Sequence, residues 1–172
     1  MDSQEKVNFS RYGKAFQEQL CMVILDDRPF ADQIEEVLDI SFLELRYLRL
    51  FIKKLFQYRK KYGVHPSRQI LATILRADIE DENEMTQKQV REYYARVMST
   101  KLDNSEYIKD TALDFCRKQK LKSAILKSVD LIQKSSFEEV SSLINEAIKL
   151  GSDNNFGYDY KVDFEKRFEL VA

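Results

Sequence analysis

Residues 136–151 read SFEEVSSLINEAIKLG. Ser136 has a hydroxyl for an N-terminal cap, and Glu139 three residues on completes a reciprocal capping box. Gly151 follows the last periodic residue, where a left-handed C-terminal cap favours glycine. Between these ends Phe137, Val140, Leu143, Ile144, Ala147 and Ile148 share one helical face, and polar residues fill the others. A helix this short is marginal alone in water, so it needs cover for that face. Burying five large side chains at ~1.5–3 kcal/mol each gives on the order of 10 kcal/mol before entropy. The chain's own core is one possible cover. Another polypeptide, or another copy of this one, is the sharper expectation.

Working outward, 172 residues suit one domain, or one domain with an appended arm. With 44% apolar and 33% charged residues, the chain is of soluble globular type. Four Gly and two Pro leave few sharp turns, which disfavours an all-β fold. A net charge of −1 exerts no global pull on nucleic acid. Cys21 and Cys116 are isolated, and His65 is the only histidine. Too few nitrogen and sulfur ligands exist for a zinc site, and a reducing, cytoplasmic compartment is expected. The N-terminus has no signal-peptide core, and no apolar run reaches membrane-spanning length.

The periodicity predicts an all-α chain with seven helices. Residues 1–12 are a polar N-terminus. Helices then follow over Gly13–Leu25, from Pro29 with Phe30, Ile34, Val37 and Leu38, and over Phe42–Tyr62 behind a Ser41/Glu44 capping box. Gly63 ends the third helix, and Pro66 bends the chain beside His65, a turn residue. A short fourth helix carries Ile70, Leu71, Ile74 and Leu75. An acidic loop, Asp78–Glu84, leads to a fifth helix that Thr86 and Gln89 open. The sixth runs from Ser105 to about Gln133, roughly 44 Å at ~1.5 Å per residue. Its apolar stripe rotates near Arg117–Lys120. Ile108, Ala112 and Phe115 share one direction; Leu121, Ile125, Val129 and Ile132 share another. This pattern divides the chain into a head (13–85), a helical hairpin (86–134), a detached linker helix (136–151) and a tether (152–172).

Catalytic signatures are missing. There is no GxxxxGK[ST], GxGxxG or GxSxG motif, and the acidic loop lacks the glycine and spacing of an EF-hand. Tyr93-Tyr94 and the Phe56, Tyr58, Tyr62 group have helical spacing and read as core rather than base-stacking platforms. Lys53-Lys54 with Arg59-Lys60-Lys61, and Arg117, Lys118, Lys120 and Lys122, form two basic clusters. Both read as solvated faces, the second being the candidate for weak nucleic-acid contact. No catalytic, cofactor-binding or metal-ligating residue is assigned.

Beyond these features, the order of residues resembles the amino-terminal domain of DnaB-type hexameric replicative helicases. The resemblance begins with Phe16-Gln17-Glu18-Gln19-Leu20, Leu25-Asp26-Asp27, Phe30, Phe42, and the helix ending Tyr58…Lys61-Tyr62. It continues through Asn104…Tyr107-Ile108, Phe115, Arg117-Lys118-Gln119 and Leu121, similar to that family's hairpin helix. Phe137-Glu138-Glu139 through Ala147-Ile148 is similar to its linker helix, and Tyr158-Asp159-Tyr160 with Arg167 to the lead-in of phage-type motor domains. It spans about 13–167. It departs at Cys21 and Met22, where bacterial members usually carry small residues, and it lacks the RecA-type ATPase.

The resemblance implies a fragment whose domains pair through hairpins into a trimer of dimers, the collar of a hexameric ring. Leu121, Ile125, Val129 and Ile132 would then serve self-association. Phe137, Val140, Leu143, Ile144, Ala147 and Ile148 would dock on the motor domain of the adjacent subunit. Primase or a helicase loader would bind the collar. ATP and Mg2+ would belong to a motor domain beyond Ala172, which would engage single-stranded DNA in a bacterial or phage-infected cytoplasm. The rival expectation is a freestanding helical loader or regulator that binds nucleic acid through Arg117–Lys122.

Overall fold

The computed structural model describes residues 7–103, 105–134 and 137–152, and among them all regular structure is helical. A 3-10 turn, Phe9–Tyr12, precedes α1 (Gly13–Asp26) and α2 (Arg28–Glu35). A second 3-10 turn, Ile40–Phe42, leads into α3 (Arg46–Tyr62) and α4 (Arg68–Asp78). Then come α5 (Glu84–Ser99), α6 (Ser105–Gln133) and α7 (Phe137–Ser152). The chain divides after Ala112 into two compact units.

Local chemistry sets most boundaries. Asp27 ends α1 and caps α2, its carboxylate accepting the Phe30 N–H at 3.0 Å, with Pro29 in the first turn. Gly63 closes α3 at φ +69°, a left-handed conformation that a side chain would strain. Ser67 caps α4 through the Ile70 N–H.

Two expected capping boxes do not form. α3 begins at Arg46 instead of Phe42, and its N-cap, Leu45, makes no side-chain bond. Ser41 turns back to Asp39, and the Glu44 N–H donates to the Gln17 side chain at 2.8 Å. Fully buried Gln17 also donates to the Phe9 and Gly13 carbonyls, so a tertiary partner outcompetes the local cap. α5 starts two residues before Thr86, because Asn83 takes the Thr86 N–H at 2.8 Å. The box at Ser136 lies outside the described residues.

The core of the first unit forms where α1, α3 and α5 meet. Leu20, Ile24, Leu48, Phe51, Ile52 and Leu55 are fully buried there. The Tyr93 ring from α5 stands edge-on to Phe51, centroids 5.2 Å apart at 76°. Its hydroxyl donates to the Glu18 carbonyl at 2.6 Å. The Glu18 carboxylate accepts from Tyr47 at 2.5 Å and from Arg96 at 2.6 Å. Burial first, and the Glu18 hydrogen bond second, push the Tyr47 phenol well above its ordinary range, so it remains a donor.

α5 therefore belongs to the head and not to a hairpin with α6. The head expected to end near residue 85 extends to Ala112. α7 is likewise not detached, because the second unit holds it together with the later part of α6. Gly151 is an ordinary helical residue within α7 and not its left-handed cap.

Two substitutions test this core. Tyr93→Phe keeps the ring and loses one buried hydrogen bond, costing ~1 kcal/mol, or roughly 2–4 °C in a thermal melt. Asp27 also pairs with Lys109 at 2.5 Å. Burial raises its carboxyl pKa, but the Lys109 bond and the Phe30 N–H outweigh that and hold it below the ordinary value. Its stabilisation is therefore complete above an unfolded pKa of ~4 and fades as pH falls through the lower folded value. Asp27→Asn melts lower than the parent at pH 7, and circular dichroism at pH 2 finds the gap closed.

Candidate interaction surface

The second unit presents an apolar stripe to solvent. Leu121, Ile125, Val129 and Ile132 lie on one side of α6, 39%, 49%, 48% and 62% exposed. Their spacing of four, four and three residues keeps the stripe nearly parallel to the helix axis, about 16 Å long. Ala124 and Ser128, each one residue before a stripe member and so rotated by ~100°, are buried.

α7 covers that neighbouring side. A Cβ built on Gly151 would lie 3.9 Å from Arg117 Cγ, so the end of α7 rests against the Arg117 turn of α6. α7 starts just after α6 ends, which makes the pair an antiparallel hairpin. Val140 is buried, and Leu143, Ile144 and Ala147 are half-buried. Phe137, 84% exposed, and Ile148 face solvent.

The six-residue face expected to grip a neighbour is thus split. Val140 faces inward, its flanking residues are shared, and only Phe137 and Ile148 remain largely free for another body. The stripe on α6 stays together and is open to solvent throughout. Periodicity cannot distinguish these cases, since both faces are apolar at helical spacing.

The basic cluster is dispersed. Lys118 pairs with Asp114 at 2.8 Å, both largely exposed. Lys120 and Lys122 are exposed, and Arg117 is half-buried beneath the end of α7. In the first unit, Arg59 pairs with Asp32 and Glu35, and Lys54 with Asp78. Glu82 of the acidic loop accepts a hydrogen bond from Arg46 Nη2 at 2.8 Å. That loop is therefore partly a structural clasp, which sequence reading missed because Arg46 lies 36 residues away.

His65 is more than a turn residue. Its Nε2 lies 2.6 Å from the Leu25 carbonyl and its Nδ1 2.7 Å from an Arg59 nitrogen. The carbonyl requires an Nε2–H donor and Arg59 requires an acceptor, which fits the neutral ring with its proton on Nε2. Cys21 is fully buried, and burial pushes its thiol well up, which keeps it protonated and unreactive.

Among the described residues there is no cluster of three or more His, Cys, Asp or Glu side chains placed to hold a metal ion. Among the same residues no helix is long and apolar enough to cross a membrane. The chain matches no protein-family model and no curated protein sequence.

The division of α7 into covered and open sides is testable. Val140→Asp buries a charge and unfolds the α6–α7 hairpin, visible as lost helicity and rapid amide exchange in 137–152. Phe137→Ser changes stability by no more than about 0.5 kcal/mol, as for an ordinary surface site.

Proposed function

We propose that this chain is a non-catalytic self-association module, the amino-terminal collar region of a DnaB-type replicative helicase. Its full-length protein would unwind duplex DNA with ATP. The observation carrying this reading is the Leu121, Ile125, Val129, Ile132 stripe, solvent-exposed on a helix whose neighbouring side is already covered by α7. The resemblance of its residue order to that helicase family supplies the rest.

The magnitudes favour a modest pairing strength. Covering four half-exposed aliphatic side chains is worth ~1 kcal/mol each, about 4 kcal/mol per copy and twice that for a symmetric pair. Association itself costs about 4–15 kcal/mol in lost freedom. The stripe therefore supports a weak dimer that a ring would reinforce through repeated contacts. The basic residues of α6 contribute little to this reading, since Lys118 is already paired with Asp114.

Sedimentation velocity across a concentration series tests the proposal. The parent chain forms a reversible dimer or larger species at tens of micromolar. Ile125→Asp with Val129→Asp abolishes it while the melting temperature stays within a few degrees. A strictly monomeric parent, or a variant that associates equally well, defeats the proposal. Reading the gene beyond the codon for Ala172 for a GxxxxGK[ST] run tests the helicase assignment separately.

A further inference from the structure

A cleft between α4 and α5 in the first unit has a volume of about 850 Å3. Its floor includes Leu75 and Val90, both buried. α4 contributes Ala72 and Arg76 to its walls, one turn apart, and α5 contributes Arg91 and Ala95 at the same spacing. Alanine on both walls lets a third helix approach to the ~8–10 Å separation at which ridges enter grooves.

The charge is one-sided. Arg76 and Arg91 are both exposed, and no carboxylate lines the cleft. Neither arginine has an ion-pair partner among the described residues, as is also true of Arg28 and Arg49. An apolar trough with one unmatched cation from each wall is complementary to a helix with an apolar stripe flanked by carboxylates.

We infer that the α4–α5 cleft is a docking groove for an acidic amphipathic helix of a partner protein. The apolar floor supplies affinity, and the two arginines select carboxylates over cations. Exposed charge pairs are each worth roughly 0.2–1 kcal/mol, so two of them make a preference of about 2- to 30-fold. The inference stands apart from self-association, because the groove and the α6 stripe belong to different units.

Two synthetic 18-residue helical peptides test it, with identical leucine stripes flanked by glutamate in one and lysine in the other. Fluorescence anisotropy with the full chain gives about 2- to 30-fold tighter binding of the glutamate peptide, with the preference shrinking at high salt. Arg76→Glu with Arg91→Glu reverses the preference, and a melt of that variant confirms that it is folded. Met98, at the edge of the cleft, supplies a methyl resonance that moves when the glutamate peptide is added to the unmutated chain. Equal binding of the two peptides, an unmoved Met98 methyl, or displacement of the glutamate peptide by a single-stranded oligonucleotide each overturns the inference. The oligonucleotide result would reassign the arginines to phosphate contact.

Discussion

Glu18 holds the first unit in register. Its backbone carbonyl accepts from Tyr93, and its carboxylate accepts from Tyr47 and Arg96. One residue of α1 thereby binds α3 and α5 at once. Apolar packing alone is non-directional and would tolerate several rotations of α5 against α3. Hydrogen bonds inside a largely dry interface exclude those alternatives, because each would strand a buried polar atom.

Adjacent Gln17 performs a related task on a different side of α1, toward the first 3-10 turn and Glu44. It is completely buried, yet its amide is satisfied by the Phe9 and Gly13 carbonyls and by the Glu44 N–H. The first unit also holds ion pairs of Arg68 with Asp26 and of Arg59 with Asp32 and Glu35. Ion pairs open to water contribute little to stability individually, whereas the Arg59 side chain is only 10% exposed. Arg68 adds geometry: it also donates to the Val97 carbonyl while its own carbonyl accepts from Tyr94, which ties the start of α4 to the end of α5.

The two candidate surfaces differ in physical character. The stripe on α6 is aliphatic and has no dedicated polar partner, so it suits a like surface, where selectivity comes from shape and repetition. The cleft between α4 and α5 joins an apolar floor to two unmatched cations, so it suits an unlike, acidic partner. A chain with both could bind its own kind on one unit and a different protein on the other.

Much of the helical layout was legible in the sequence. Apolar periodicity marked the seven helices found among the described residues, and Gly63 and Pro66 marked the break between α3 and α4. These features depend on residues within a turn or two of one another, where spacing and backbone sterics decide the outcome. Long-range choices were not legible. The capping boxes at Ser41 and Thr86 lost to Gln17 and Asn83, and α5 joined the head through Tyr93 and Glu18, 75 residues apart. The inward turn of Val140 was equally hidden. Sequence determines that a face is apolar, because side-chain chemistry and helical pitch are local. Tertiary structure decides what covers it, because several apolar faces compete for the same partners and only their simultaneous packing selects among them.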